Sequence, residues 1–232
     1  MFQTLLKKKA YVNDTVIRYY RGLLLERELA RQAVDGYADG SWIYDSHFMT
    51  VATRDVQELI GCSNRVPGKE PTENCDMRSS KWLCLLTEIV TKGGNIFLLN
   101  RLIIPVNVRH THWYLGVVLF AEKRVQIYDS LPSQDGRHGS LQKIMDYLDM
   151  EHNSQYGRPL ARNDWTLQPC HPSNKWAPKQ LQGGNDCGVF LCLMMDLLMM
   201  RESSAMGLCP EAVGRNGREW IACSLLMGEI LV

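Results

Sequence analysis

A single cysteine, Cys187, stands where a polar, glycine-containing loop gives way to an apolar block. The loop covers residues 180–186 (Gln-Leu-Gln-Gly-Gly-Asn-Asp), and the apolar block runs from 189 to 200. This pattern predicts a buried helix that begins near the cysteine, with Asn185 or Asp186 as its N-cap. Unpaired N–H groups and the helix dipole at such a position favour an anion, so Cys187 is a candidate thiolate nucleophile.

A histidine and an aspartate upstream supply the base and the acid that such a nucleophile needs. His112 stands directly before Trp-Tyr-Leu-Gly-Val-Val, so it lies at the mouth of a predicted buried strand, and Asp129 ends the next predicted strand. If the two strands pair through the charged turn at 121–123, the carboxylate can orient the imidazole and stabilise imidazolium. Each residue alone would more often be a packing residue or a turn former, but their joint occurrence with Cys187 predicts a thiol catalytic triad.

Other residues compete for neighbouring roles. His110 would face the same side of an extended chain as His112, whereas His171 lies in a proline-flanked loop with no nearby acid. An acyl-transfer site also needs hydrogen-bond donors for the oxyanion. The backbone N–H of Cys187 can be one donor, and the side-chain amide of Gln180 or Gln182 can be the other.

Helices and strands are segregated along the chain, which favours an α+β fold over a parallel doubly wound sheet. The cluster Asn13-Asp14-Thr15 is an N-cap signal for an amphipathic helix of about 14–18 residues. Residues 61–81 have the character of a surface insertion within a single domain spanning 1–232. Further helices are expected over residues 82–90, 141–150 and 218–231, and short strands over 96–99, 102–106, 113–120, 124–128 and 165–167.

The composition excludes several classes of function. With 232 residues and 45% hydrophobic content the chain can bury a sizeable core, and a net charge of +1 does not suggest nucleic-acid binding. We expect no secretory signal, and no apolar run reaches the roughly 20 residues that a membrane span needs. The eight cysteines then indicate reduced thiols in a nuclear or cytoplasmic protein. Because there is no CxxC or HxxxH pair, we expect no metal and no cofactor.

Five segments together make the chain resemble the catalytic domain of the ubiquitin-like-protein-specific cysteine proteases (the Ulp/SENP, or sentrin-specific, family). They are Asn13-Asp14-Thr-Val-Ile, Pro105-Val-Asn, His112-Trp113, Tyr128-Asp129-Ser130-Leu131 and Asp186-Cys187-Gly188. The resemblance spans the chain from about residue 10 to its C-terminus. It implies a papain-like α+β fold, in which helices flank a central mixed or antiparallel sheet and the nucleophile lies at a helix N-terminus.

Carried over residue by residue, the resemblance implies that His112 is the general base, Asp129 its orienting acid and Cys187 the nucleophile. Trp113 resembles the aromatic wall of a narrow tunnel that holds the Gly-Gly tail of the modifier. Only residues without side chains pass between such aromatic faces. Asp14 resembles a residue near the modifier-binding face.

The chain departs from the family pattern at two places. Tyr11 stands where the family usually has a tryptophan, so we expect a smaller aromatic lid and a looser tunnel. The oxyanion glutamine usually lies six residues before the cysteine, where this chain has Leu181. Aligning Pro178 with the family's proline suggests one extra residue in the loop, which makes Gln180 the donor and Gln182 the second choice.

The resulting hypothesis is a monomeric thiol protease and isopeptidase that cleaves after the Gly-Gly of a ubiquitin-like modifier. The favoured partners are a SUMO-type modifier and its conjugates, through precursor processing, desumoylation or both. A Nedd/Rub-type modifier or ubiquitin is an alternative, because relatives with the same triad differ mainly at the binding surface. Two further alternatives are an effector-type acetyltransferase, which the tunnel-like Trp113 disfavours, and a non-catalytic binder, which the intact set of His, Asp and Cys disfavours.

Overall fold

The computed structural model describes residues 5–7, 10–35, 40–49, 95–174, 176–181, 184–200 and 213–230. Three of the features expected from the sequence lie outside these residues. They are the insertion at 61–81, the helix at 82–90 and the alternative oxyanion donor Gln182.

A mixed sheet of five strands forms the centre of the described structure, with the strand order β1-β2-β3-β4-β5. The central strands β2, β3 and β4 form two antiparallel pairs, whereas β1 and β5 pair in parallel with β2 and β4. The strands are β1 (Ser41–Ile43), β2 (Arg101–Val108), β3 (His112–Leu119), β4 (Arg124–Tyr128) and β5 (Thr166–Gln168). Their mixed pairing, together with separate helices, is the expected α+β architecture.

Within the described ranges, four α-helices pack around this sheet: α1 (Asp14–Asp35), α2 (His138–Tyr156), α3 (Cys187–Met199) and α4 (Arg218–Met227). Both α2 and α3 pack against β3, and α1 packs against α3. Strand β3 is buried at every position but its two ends. The strand that carries His112 and the helix that carries Cys187 are therefore held in one core.

The start of helix α1 is determined by a local side-chain cap. The side-chain oxygen of Asn13 accepts a hydrogen bond from the backbone N–H of Val16 at 3.1 Å, so Asn13 acts as the N-cap. The helix then continues for 22 residues, longer than its apolar stripe suggested. Helix α2 is also longer than predicted, because it begins before Leu141 and ends only at a left-handed glycine, Gly157.

One prediction about a short segment was wrong, and one short strand was not predicted. The apolar run at 96–99 is a 3-10 helix (Ile96–Leu98) and not a strand, because the side chain of Asn95 accepts a hydrogen bond from the N–H of Phe97 at 3.0 Å. Strand β1 was not expected at all. It has three residues, and its register depends on β2, which lies far along the chain.

None of the described helices combines the length and the apolarity that crossing a membrane requires.

Candidate active site

Cys187 is the first residue of α3, where the sequence placed it. Asp186 occupies the N-cap position, one of the two residues expected there, but its side chain makes no capping hydrogen bond. Its carboxylate instead accepts hydrogen bonds from the guanidinium of Arg218, at 3.0 Å from Nε and 2.7 Å from the terminal nitrogen. The N–H groups of the first turn thus lack a side-chain cap from Asp186, next to a buried thiol.

His112 and Asp129 lie together because of the pairing of β3 with β4. The register aligns Leu115 with Tyr128, so the first residue of β3 lies near the residue that follows β4. Nε2 of His112 is 2.7 Å from Oδ1 of Asp129. The Asp129 side chain is fully buried and that of His112 is 13% exposed, so solvent screens this pair only weakly.

The charge state of His112 follows from its two neighbours. Burial alone would lower its pKa, but hydrogen bonds and electrostatic interactions with Asp129 and Cys187 raise the pKa from 6.5 to about 9. Because Nε2 faces Asp129, Nδ1 is the ring nitrogen left for Cys187. His112 thus interacts with both Asp129 and Cys187, as the predicted triad requires.

Asp129 is held as a carboxylate by several donors. Oδ1 also accepts a hydrogen bond from the N–H of Leu131 at 2.8 Å, and Oδ2 accepts one from Nε of Arg137 at 2.8 Å. Burial alone would raise the pKa of Asp129. Hydrogen bonds and positive charge from His112, followed by those from Arg137, hold the pKa below its ordinary value. Asp129 is thus an ionised acceptor for the imidazole.

The segment before α1 crosses the start of α3 beside Trp113. The indole N–H of Trp113 donates to the backbone oxygen of Val12 at 2.9 Å, and only 4% of the Trp113 surface is exposed. A side-chain carbon added at Gly188 would lie 2.5 Å from Cβ of Val12, so only glycine permits this approach. Tyr11, the neighbouring residue, is 48% exposed. Trp113, Val12 and Gly188 therefore surround the position of the nucleophile.

Gln180 lies in the loop before the nucleophile. Its backbone N–H donates to the oxygen of Ser130 at 2.9 Å, which ties this loop to the residue after Asp129. One hydrogen of its side-chain amide is donated to the backbone oxygen of Gly184 at 3.0 Å. The amide oxygen accepts a hydrogen bond from the hydroxyl of Ser130 at 3.4 Å, so the buried side chain of Gln180 is held between the residue after Asp129 and the loop before Cys187.

Asp14 lies at the start of α1 rather than in the core of the site. Its carboxylate accepts a hydrogen bond from the hydroxyl of Ser46 and lies 3.8 Å from Nδ1 of His47. The side chain remains 36% exposed, so an external group can reach it.

The rival histidines do not take part in the site. His110 is exposed and lies in the turn between β2 and β3 with a φ of 59°, so the chain is not extended there as the prediction assumed. Nδ1 of His171 is 3.1 Å from the backbone oxygen of Gln134, and its ring is 5.9 Å from that of His138. Among the described residues, neither histidine is paired with Asp129.

Sequence reasoning missed two arginines, Arg137 and Arg218. Arg137 follows a turn and precedes α2 with a φ of 64°, a conformation that no pattern around it signals. Arg218 is 5% exposed and donates to the backbone oxygens of Leu5, Ala10 and Asn185 as well as to Asp186. The only available signal for Arg218 was a charged residue at the start of a largely apolar helix.

No group of three or more metal-binding side chains occurs within the described ranges. Four cysteines there, Cys170, Cys187, Cys192 and Cys223, are free thiols.

Three comparisons with known proteins bear on this geometry. Residues 10–218 match the profile of the Ulp1 protease family, C-terminal catalytic domain. The chain is 25% identical over 193 residues to "Sentrin-specific protease 2" of Homo sapiens, a match that covers 83% of this chain and 26% of that protein. It is 32% identical over 102 residues to "Sentrin-specific protease" of Caenorhabditis elegans, covering 44% of this chain and 14% of that protein. The chain thus spans about a quarter or less of the length of these relatives.

Solved structures resemble the whole chain. One is the X-ray structure of the C-terminal Ulp1 protease domain in complex with Smt3, the yeast ortholog of SUMO, with a TM-score of 0.63 at 18% identity over 97% of this chain and 80% of that one. Another is the SUMO protease Ulp1 with its catalytic cysteine oxidised to a sulfonic acid, with a TM-score of 0.66 at 18% identity over 98% and 82%. This likeness confirms the expected papain-like α+β fold.

Proposed function

The chain belongs to the Ulp1 protease family, C-terminal catalytic domain, and we propose that it is a cysteine protease that hydrolyses the bond after the C-terminal Gly-Gly of a SUMO-type modifier. One observation carries the proposal. His112, 2.7 Å from the buried carboxylate of Asp129, also interacts with the thiol of Cys187 at the start of α3. A base oriented by an acid and aimed at a nucleophile is the arrangement that acyl transfer through a thioester requires.

The proposed reaction begins with the ion pair of the Cys187 thiolate and the His112 imidazolium. The sulfur attacks the carbonyl carbon of the terminal glycine, and the oxyanion accepts hydrogen bonds from the N–H of Cys187 and the amide of Gln180. His112 gives its proton to the leaving amine as the C–N bond breaks. A water molecule, deprotonated by His112, then hydrolyses the thioester and restores the ion pair.

Specificity for Gly-Gly is ascribed to the close approach of the segment before α1. Trp113 is fixed by its hydrogen bond to Val12, and Val12 contacts Gly188 directly after the nucleophile. A passage between these residues would admit a backbone without side chains. Tyr11, exposed beside it, would form the outer lid, and exposed Asp14 would contact the body of the modifier.

The substrates proposed are both the SUMO precursor and SUMO–protein conjugates, because both present an amine leaving group after Gly-Gly. The names of the sentrin-specific relatives favour SUMO over a Nedd/Rub-type modifier or ubiquitin. We further propose that the protein acts as a monomer in the nucleus or the cytoplasm.

Cleavage assays test the protease function, the choice of modifier, and the division between precursor processing and deconjugation. The substrates are a linear SUMO precursor, a SUMO–lysine isopeptide conjugate, and matching Nedd/Rub-type and ubiquitin substrates, each assayed with wild type and Cys187→Ala. The proposal predicts cleavage of both SUMO substrates after Gly-Gly and none by Cys187→Ala. Cleavage of another modifier alone would change the substrate class. No cleavage by folded protein would contradict the protease assignment and direct attention to acetyl transfer.

A further inference from the structure

The buried carboxylate of Asp129 contacts two cationic side chains, and each uses a different oxygen. Oδ1 faces His112 at 2.7 Å, and Oδ2 accepts from Nε of Arg137 at 2.8 Å. The Asp129 side chain is fully buried, and that of Arg137 is only 19% exposed. Arg137 is thus a direct partner of the proposed catalytic acid on the side away from the imidazole.

Arg137 is itself held in place. Its guanidinium carbon lies 5.0 Å from the centre of the Tyr114 ring, a cation–π distance, and the Tyr114 hydroxyl is 2.5 Å from the hydroxyl of Ser140. The Tyr114 ring in turn lies 6.0 Å from the ring of His112. The backbone of Arg137 is left-handed, with a φ of 64°, which is unfavourable for arginine and is retained only where the surroundings require it.

The proton movements of the proposed reaction explain why a second cation is useful. While His112 is imidazolium, it neutralises Asp129. Once His112 has given its proton to the leaving amine, a fully buried carboxylate would face a neutral ring, and a buried charge without a cation is costly. A proton taken up by Asp129 would then disturb the bond that orients the ring. A guanidinium keeps its charge at every step.

We propose that Arg137 is a positioning residue that keeps Asp129 ionised and aimed at Nε2 when His112 is neutral; this rests on the proposed cysteine-protease function. The low pKa of Asp129 agrees with this role. Burial alone would raise it, and Arg137 is one of the two groups whose hydrogen bond and charge overcome that effect. The competing explanation is that Arg137 only fastens the loop after β4 to α2.

The test compares Arg137→Gln and Arg137→Lys with a matched control, Arg162→Gln. Arg162 also donates to a carboxylate at 2.7 Å, that of Asp146 in α2, but this pair is remote from the triad and more than a third exposed. Two readouts are recorded against pH. One is kcat/KM on a modifier substrate, and the other is the rate of iodoacetamide alkylation at Cys187, measured by peptide mass spectrometry and independent of any substrate.

We expect Arg137→Gln to move the acid limb of both profiles upward by about one pH unit, since Asp129 then takes up a proton at higher pH. The loss in kcat should exceed any change in KM. Arg137→Lys should restore part of the shift because it returns the charge without the planar fork, and Arg162→Gln should leave both profiles unchanged.

Each remaining outcome is decisive. A contrary result is that Arg137→Gln lowers the melting temperature, and lowers the activity by the same factor at every pH, with no shift in either pH profile. In that case Arg137 has a purely structural role and the proposal is wrong. The same conclusion follows if Arg137→Lys, correctly folded, shows a wild-type profile together with an unshifted Arg137→Gln. If Arg137→Gln shifts the alkylation profile while wild type cleaves no modifier, the positioning role of Arg137 is supported and the proposed substrate is wrong.

Discussion

At the scale of single residues, the charge on His112 determines how the site responds to pH. In the proposed mechanism, Cys187 attacks beside an imidazolium that later protonates the leaving group. Burial opposes that charge, but Asp129 and Cys187 outweigh it and raise the pKa of His112 to about 9. Because the two groups are coupled, the observed titration belongs to the pair.

We therefore predict that kcat/KM is sustained through neutral pH and falls as the pH rises through about 9. The stability of the folded protein should also fall as the pH rises. Since the pKa of His112 is higher in the folded state than its ordinary 6.5, the stabilisation is complete below 6.5 and is lost as the pH passes through about 9. Steady-state rates and thermal unfolding across this range measure both effects.

Asp129→Asn is the matched variant for this prediction, because it removes the charge and retains the shape. It should move the alkaline limb of kcat/KM towards lower pH. A wild-type limb already at the ordinary value of 6.5 would contradict the arrangement of charges described here.

The proximity of His112 to Asp129 was predictable because it depends only on a short hairpin. Two strands joined by a tight turn place the start of one beside the end of the other. The contacts of the two arginines were not predictable. Arg137 reaches Asp129 from a left-handed residue, and Arg218 joins groups as far away as Leu5 through hydrogen bonds that leave no periodic pattern.

At the scale of elements, the start of α3 and the segment before α1 are in contact through a glycine. Gly188 leaves room for Val12, and Val12 in turn accepts the hydrogen bond of Trp113. Any side chain at Gly188 must displace Val12, because an added carbon would lie only 2.5 Å from its Cβ. The width of the proposed Gly-Gly passage therefore depends on this one contact.

Gly188→Ala is predicted to lower kcat/KM at least tenfold and to cost about 1–3 kcal/mol in the free energy of unfolding, as overpacking does. Adding Val12→Ala should recover part of both losses by restoring the space. The control is Gly22→Ala in α1, where an added carbon meets nothing within 4 Å. It should leave activity unchanged and stabilise the helix by about 0.5–1 kcal/mol. If Gly188→Ala and Gly22→Ala had the same kcat/KM and the same free energy of unfolding, the close contact between Gly188 and Val12 would be contradicted.

Arg218 connects three elements at their ends. It belongs to α4, donates to Ala10 in the segment before α1, and binds Asp186 in the loop before α3. Its side chain is 6% exposed and that of Asp186 is 22% exposed, so the charges are poorly hydrated. Removing one partner of such a pair leaves the other charge buried.

We predict that Arg218→Met lowers the free energy of unfolding by about 3 kcal/mol, measured by chemical denaturation. Activity should also fall, because the residues on both sides of the nucleophile lose a common anchor. Lys123→Met is the control. Its ion pair with Asp164 has a similar length, 2.8 Å against 2.7 Å, but both side chains are more than half exposed, so the cost should stay below about 1 kcal/mol. Comparable losses in the two variants would show that burial of the Arg218 pair is unimportant.

Element prediction from the sequence succeeded where a segment carried its own signal. Strand β4 and the hairpin before it follow from alternating residues and a charged turn, and α3 follows from its apolar run. Strand β1 and the 3-10 helix at Ile96–Leu98 were missed, since a three-residue strand is defined by its partner and a short apolar run suits several conformations.

At the scale of the whole molecule, the described helices and strands share one hydrophobic core that includes Trp113 of β3 and Cys187 of α3. We propose on this basis that the chain is a single domain. The residues of the proposed triad come from the start of β3, the end of β4 and the start of α3. We propose that this fold positions the chemistry and that the exposed surface around Tyr11 and Asp14 selects the modifier.

The central claim is tested most directly by covalent labelling with modifiers that carry an electrophile in place of the C-terminal carboxylate. SUMO, Nedd/Rub-type and ubiquitin probes are each incubated with wild type and with Cys187→Ala, and the adduct is located by mass spectrometry. The account predicts an adduct with the SUMO probe at Cys187 that is absent from Cys187→Ala. An adduct at another cysteine, or none with any probe on folded protein, would contradict it.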